Sequence, residues 1–398
     1  MRAVENDLPA YPFSGSGNGY DERIAPLRAA GPVSRVELSG QPVWLVTGYA
    51  EVQSVLVDTR FSLARSTEPH IPRLGTFEPP AGMITITDPP QHTRLRQLVT
   101  KVFTLRRLEQ LRPRVQEVVD GLLDRLATIS PPVDLIEHFA APLPLEIICE
   151  MLGVPAADRS RFQDWTERLM TIAGRSRDEV QAGWTRTAEY IGGLVVEKRR
   201  DPTDDLLSLL AAARDEGDQL NEEELVLFGL ALLVAGHDTT KNQLANSVVA
   251  LLAEHPDQWR RLVERPDLVP SAVDELLRYV PMFGYDVTFP RVATANVELG
   301  GQTIEEGDTV IVSLSSANRD AAAFDAPDAF NPERTDNRHV AFGSGIHRCL
   351  GAHLAKIELE VGLGCLIRRF PQLRLATDDL QWKSDVFIRG LHELPVTW

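Results

Sequence analysis

Cys349 closes a glycine-rich stretch, Phe342 to Gly351, that also carries Gly343 and Gly345. Glycines in such a stretch let backbone approach a large flat ligand where a Cβ would clash. Leu350, Leu354, Ile357 and Val361 then recur at helical spacing, which predicts a helix directly after the cysteine. The unpaired N–H groups of a first helical turn stabilise a thiolate. N–H groups of the loop, bonded to the sulfur, would tune a metal held there. Three readings fit these residues. A buried cysteine is most often inert packing, the reading given to Cys149 and Cys365. Zinc would use His347, Cys349 and His353, but that spacing matches no paired pattern of zinc ligands. A lone thiolate with open space above it suits haem iron.

A second constellation lies inside an otherwise apolar run: Ala235, Gly236, His237, Asp238, Thr239 and Thr240. Gly, Asp and Thr cost up to about 1 kcal/mol each against alanine inside a helix, and such local conflict marks functional sites. Gly236 leaves room for a small molecule against the backbone. A threonine can bond back to a carbonyl and open a helical bond. Asp238 beside Thr239 is an acid–alcohol pair able to relay protons. A buried polar cluster that only stabilises packing is the alternative.

Charged residues supply further candidates. His92 and Arg96 are four apart, share one helix face and can grip a carboxylate, although a solvated helix shows the same spacing. From Thr93 to Arg107 there are five basic residues and no acid, a local reversal in an acidic chain. It is either a docking face for an acidic partner or a solvated face. Glu275 and Arg278, three apart, can form a salt bridge, which reads as scaffold. Arg291 opens a predicted strand; buried there it needs an anion, and on an exposed strand it is an ordinary surface residue.

The elements that position these groups are mainly helical. The central helix is predicted to start at Asn221, with Glu224 completing a capping box, and to run to about Leu252. About thirty residues at 1.5 Å each is roughly 45 Å, enough to cross a whole domain. Residues 105–127 carry a core-facing stripe from Leu105 through Leu111 and Val115 to Leu122, which predicts one helix. Val33 to Leu38 and Pro42 to Thr47 alternate around Ser39 and Gly40 and predict a hairpin. Residues 1–20 are turn-rich. The proline-rich stretch from Phe61 to Pro90 is a long loop, either functional or mobile. No repeat and no low-complexity linker divides the chain, so residues 1–398 are expected to form a single domain, mainly α with small β-sheets near 33–47, 286–312 and 373–398.

Composition narrows the function classes. Hydrophobic content of 43% can bury a sizeable core. With 57 acidic against 41 basic residues the net charge is −16, which argues against nucleic acid or an anionic membrane as main partner. Three widely spaced cysteines fit a reducing cytoplasm, and the first residues contain no long apolar run, so a cytoplasmic chain without membrane anchor is expected.

The stretch around Cys349 resembles the haem-binding signature of the cytochrome P450 family, F-x-x-G-x-x-x-C-x-G. Phe342, Gly345, Cys349 and Gly351 match every fixed position, with Ala355 and Glu358 following. Four further motifs resemble the family. Residues 235–240 are similar to A-G-x-[D/E]-T-T, His92 and Arg96 to H-x-x-x-R, and Glu275 and Arg278 to E-x-x-R. Residues 324–334 are similar to the segment whose arginine, here Arg334, joins that pair; the aromatic that usually follows it is Thr335.

The resemblance implies a single-domain fold with haem b between the central helix and the cysteine helix. Cys349 would be the axial ligand, and Phe342, Gly343, Gly351, Ala235 and Gly236 would border the haem. His92, Arg96, Arg291 and His347 would hold its propionates. Thr239 would hold a water beside the iron site and Asp238 would help deliver protons. Glu275, Arg278 and Arg334 would be structural. By family position the substrate pocket takes Met83, Ile84, Leu232, Leu233 and Phe283, with Tyr285, Val287, Thr288 and Phe387. That set is apolar and aromatic and implies a hydrophobic substrate. The implied activity is a monooxygenase using dioxygen and electrons from an external ferredoxin and ferredoxin reductase, tailoring a secondary metabolite in the actinobacterial manner. Hydroxylation is the default. Oxidative coupling of an aromatic cyclic dipeptide, without oxygen insertion, is the alternative. A haem-thiolate gas sensor is the reading from another class, and the Asp238–Thr239 pair argues against it.

Overall fold

The central helix spans Glu222–Val249. Asn221 accepts from the Glu224 N–H and the Glu224 carboxylate accepts from the Asn221 N–H, so two orphan donors are satisfied reciprocally. A π-helical turn, Ala250–Glu254, ends it before Pro256. The computed structural model describes residues 8–12, 23–73, 79–159, 161–162, 165, 176–215, 220–283, 289–384 and 386–398. Most expected turn residues near the N-terminus, and Tyr285, Val287 and Thr288, lie outside these.

Around the central helix pack Pro142–Leu152, Arg177–Arg200 and Ala352–Arg369, the last being the cysteine helix. Leu143, Phe139, Leu233, Leu244, Leu363 and their neighbours form one continuous helical core. The chain is therefore mainly helical with small sheets. The largest described sheet has six strands in the order Ala10–Tyr11, Val33–Leu38, Gln41–Val46, Thr309–Val312, Arg291–Ala293 and Phe61–Ser62. The expected hairpin pairs Val33 with Val46 and Leu38 with Gln41. Its second strand pairs parallel to Thr309–Val312, which pairs antiparallel to Arg291–Ala293. The sheet thereby carries Arg291 to the edge of the helical body.

The single helix expected over 105–127 is two, Leu105–Gln110 and Arg112–Leu126. Pro113 lies in the first turn of the second, where its missing N–H is tolerated; in the interior of a continuous helix it would cost a hydrogen bond and clash with the preceding turn. The break leaves Leu105 63% exposed rather than in the stripe. The stretch from Phe61 to Pro90 is not a bare loop. It holds the short strand Phe61–Ser62 and single turns at Ala64–Thr67 and Ile84–Ile86. Asp88 braces it by accepting from Leu63 N–H at 3.0 Å and from the Ser62 hydroxyl at 2.5 Å.

Candidate active site

The cysteine loop is hung from a buried ion network. Glu275 accepts from Arg278 Nε at 2.8 Å and Nη2 at 2.7 Å, and both side chains are fully buried. Arg334 Nε lies 3.0 Å from the same carboxylate, and Asn331 N–H donates to it at 2.9 Å. Thr335 therefore does not displace Arg334. Arg278 also donates to the carbonyls of Asn318, Pro327 and Ala329. Asn318 Oδ1 in turn accepts from Val340 N–H at 2.7 Å, Val340 O from Gly343 N–H at 2.8 Å, and Phe342 O from Cys349 N–H at 2.8 Å. A continuous chain of hydrogen bonds thus runs from the Glu275–Arg278 pair to the cysteine.

Gly343 and Gly345 have φ of +68° and +69°, the left-handed region that favours glycine. A Cβ on Gly345 would sit 2.6 Å from Leu56 O. That glycine is required by close packing against protein backbone, not by a ligand. A Cβ on Gly343 or Gly351 would meet no protein atom within 4 Å. Phe342 packs partly buried against the helical core.

Cys349 lies deep in the molecule, where burial is the largest influence on its thiol and pushes it up. Its side chain nevertheless carries accessible surface. The two observations agree if it borders an internal space. Backbone N–H groups of Gly351 and Ala352, and the charges of Arg96 and Arg348, act in the opposite sense and favour the thiolate. The cysteine helix begins at Ala352, so the donors are those of its first turn.

The central helix has an accessible stripe in its middle. Ala235 is exposed, and Leu232, Gly236 and Thr239 are partly so, while the flanking residues are buried. These four fall at i, i+3, i+4 and i+7, one helix face. The Thr240 hydroxyl bonds Glu358 of the cysteine helix, joining the two helices that border this space. Burial raises the Glu358 carboxyl to about 8, so it is largely neutral at pH 7. The Thr239 hydroxyl donates to Ala235 O at 2.7 Å, as expected of a threonine that bonds back. Gly236 has a different reason from the one expected. Its Cβ would meet Ile148 Cγ1 at 3.0 Å, so its small size serves helix packing. Asp238 also departs from expectation. Its Oδ1 lies 2.6 Å from Lys241 Nζ, and no hydrogen bond joins it to the Thr239 hydroxyl among the described residues.

Four basic groups from distant segments converge beside the cysteine loop. The rings of His92 and His347 stack with centroids 4.1 Å apart. Burial, then the charges of His92, Arg291 and Arg96, pushes His347 down to about 3. Burial also lowers His92 and Arg96, and lowers Arg291 to about 10. Arg96 Nη2 donates to Arg348 O at 2.7 Å. His92 and Arg96 line a cleft of about 480 Å³ with Thr100, Lys101 and Ile346. His92 Nδ1 is buried without a hydrogen-bond partner. No carboxylate forms a salt bridge to any of the four among the described residues, so the group is built for anions brought by a ligand. A thiolate, an internal space and a cationic pocket for carboxylates are the donor set of haem with its two propionates, and the residues fit that group.

The pocket residues divide. Met83, Ile86, Leu230, Ala231, Val234, Trp184 and Phe387 form a separate apolar cluster, with Phe283 and Phe289 packed against it. Phe283 and Phe387 meet at 5.1 Å, Phe289 and Phe387 at 5.7 Å. Leu233, expected here, is fully buried in the helical core, and Ile84 and Leu232 pack against that core. The same cluster also draws Leu227, Leu230, Ala231 and Val234 from the central helix, which were not among the expected pocket residues. Their own i, i+3, i+4, i+7 spacing was the available signal.

Among the described residues no helix is long and apolar enough to cross a membrane. The family described as cytochrome P450 matches residues 22–181 and 177–385. Nocardicin C N-oxygenase of Nocardia uniformis subsp. tsuyamanensis is 44% identical, over 99% of this chain and 100% of its own. The LnmA cytochrome P450 hydroxylase from the leinamycin biosynthetic pathway of Streptomyces atroolivaceus superposes with TM-score 0.91 at 42% identity, covering 98% of this chain and 100% of that one. Cytochrome P450mel 107F1, with biaryl coupling reactivity, superposes with TM-score 0.92 at 40% identity, covering 97% and 99%. Fold, site geometry and these relatives agree: the chain belongs to the cytochrome P450 family and is an oxidoreductase, a haem monooxygenase of secondary metabolism.

Proposed function

We propose that this enzyme, as one domain in the cytoplasm, hydroxylates a neutral hydrophobic or aromatic secondary metabolite with electrons from an external ferredoxin and ferredoxin reductase. The observation that carries the substrate class is the apolar cluster of Met83, Ile86, Val234, Trp184 and Phe387, faced by Phe283 and Phe289. Desolvating a charge against such a wall is costly, whereas burying apolar area there contributes about 25 cal/mol per Å². Haem b, when bound, supplies the oxidising chemistry by activating dioxygen. Cys349 holds the iron, and His92, Arg96, Arg291 and His347 neutralise the propionates. The Thr239 hydroxyl spends its hydrogen on Ala235 O, which leaves its oxygen free to accept from a water and hold it in place.

Thr239→Ala removes that acceptor without disturbing the helix. Product formed per reducing equivalent is expected to fall about tenfold or more, with peroxide released instead. Full coupling in the variant would take Thr239 out of the proton path.

The substrate reading is tested by titrating the ferric protein and following the Soret band. The panel holds macrolides, terpenoids, phenols and aromatic cyclic dipeptides, with charged metabolites as controls. A low-to-high-spin shift with an apolar class is expected. A shift with charged ligands alone would overturn the reading. Oxidative coupling is the second reading, favoured by the aromatic wall at Phe283 and Phe387 and by the likeness to a relative with biaryl coupling reactivity. Product mass separates the two, since coupling adds no oxygen.

A further inference from the structure

Two asparagines, Asn242 and Asn246, are buried four residues apart inside the central helix. That spacing puts them on one helix face. A buried amide left unpaired is costly, so each must be used. They are used on the C-terminal segment. Asn246 Nδ2 donates to Arg389 O at 2.9 Å. The N–H of Arg389 donates to Met282 O at 2.9 Å. Both backbone groups of Arg389 are therefore committed, one to the central helix and one to the residue before Phe283. Gly390 follows, and a Cβ there would lie 2.8 Å from Asn242 Cγ and nearer still to its oxygen. Asn242 is itself fixed, since its Nδ2 donates to Asp238 O at 2.8 Å. This clamp lies just beyond Phe387. Ile388 pairs with Phe283 in an antiparallel bridge, and the rings of Phe387 and Phe283 meet at 5.1 Å. The apolar cluster they join also takes Leu230 and Val234 from the central helix. One helix thus supplies part of the cluster and the anchor for another part, with Asn246 roughly 18 Å along it from Val234 at 1.5 Å per residue.

We infer that Asn242 and Asn246 are positioning residues for substrate specificity: they hold the Arg389–Gly390 backbone so that Phe387 and Phe283 present one fixed aromatic wall to the substrate. The inference rests on the reading of the apolar cluster as the substrate wall given under Proposed function. Apolar packing alone would not fix that wall. Hydrophobic contact is non-directional, so a ring on a terminal segment can slide against its neighbours at little cost. A hydrogen bond to a backbone carbonyl is directional, and a glycine fitted against an amide leaves the segment no room to shift. A wall held in place before the ligand arrives need not be ordered on binding, so it favours ligands whose shape matches it.

Binding of phenylimidazole and of imidazole to the haem-loaded ferric protein, followed by the Soret band, tests this. Imidazole is too small to need the wall, whereas the added phenyl ring must pack on it. The ratio of the two dissociation constants therefore reads the wall separately from the haem site. Asn246→Leu keeps the volume and removes the donor. Its preference for phenylimidazole over imidazole is expected to fall about fivefold or more, with the reduced carbon monoxide spectrum unchanged. Gly390→Ala, the second variant should the first not accumulate, displaces the same segment and should lose the same preference. Adding Asn242→Ala to it makes room for the new methyl and should restore the ratio, a rescue that general weakening of the fold would not give. A double variant no better than Gly390→Ala alone would overturn the role given to Asn242. Phe387→Ala is the control for the underlying reading. If its ratio equals that of the native protein, the cluster is not the substrate wall and both readings fall. If Phe387→Ala loses the preference while Asn246→Leu and Gly390→Ala keep it, the clamp alone is overturned.

Discussion

The red-shifted Soret band of the reduced carbon monoxide complex is expected to be lost in Cys349→Ala. The expectation follows from how the sulfur is supported. Burial opposes the thiolate, so the loop must offset it locally, and it does so with the N–H groups of Gly351 and Ala352 and the charges of Arg96 and Arg348. An iron bound there would deprotonate the thiol outright, and the same donors would then tune its electron donation. Alanine removes the sulfur but leaves the hydrogen bond from its N–H to Phe342 O, so the loop retains its shape. Circular dichroism should therefore be unchanged while the band disappears and turnover falls to background. The other cysteines are poor substitutes. Cys149 is buried, with its thiol pushed up to about 12, and Cys365 is buried and bonded by Gln116 and Arg368. A band that survived in the variant would sink the assignment of Cys349 as the ligand.

The second large effect belongs to Glu275, which touches neither substrate nor cofactor. Glu275→Ala leaves the Arg278 guanidinium buried with its carboxylate gone, at a cost of about 3–5 kcal/mol. Arg334 and the Asn331 N–H lose the same acceptor. Urea unfolding of the purified protein should show the lower stability directly. The loss reaches the cysteine loop because Arg278 holds Asn318 O, and Asn318 holds Val340 N–H, two residues before Phe342. Spectra of the reduced carbon monoxide complex should accordingly shift from the thiolate form toward an inactive one. Glu275→Gln keeps oxygen and nitrogen in place and should lose less. A cost below about 1 kcal/mol, with intact thiolate spectra, would mean the surrounding backbone holds the loop unaided.

Much of the site was legible because its parts are local. A cysteine among glycines before a helical period, a capping box at Asn221 and Glu224, and carboxylate–arginine or histidine–arginine spacings are all short-range patterns. What those patterns left open was which side of each element faces what. The central helix is apolar almost all round, so periodicity alone admits several inward faces. Leu233 and Leu230 are equally plausible pocket residues by composition, and packing sends the first to the main helical core and the second to the separate apolar cluster with Met83 and Phe387. Gly236 and Gly345 could be recognised as necessary, yet the partners that require them, Ile148 and Leu56, come from other segments. The break at Pro113 was written in the chain but was outweighed by the apolar stripe around it.

The amino-acid sequence by itself determined the cysteine loop, the helices on either side of the site and the family to which the chain belongs, because these depend on residue type at fixed short spacing. Only the tertiary structure decided the rest. It stacked His92 on His347, brought Arg96 and Arg291 beside them, strung the hydrogen-bond chain from Glu275 to Cys349, and put Lys241 on the Asp238 carboxylate inside the core. The physical reason is that these interactions are paid for by burial. A histidine, a lysine or a carboxylate acquires its charge state and its partner from what excludes water around it, and water is excluded by segments hundreds of residues apart.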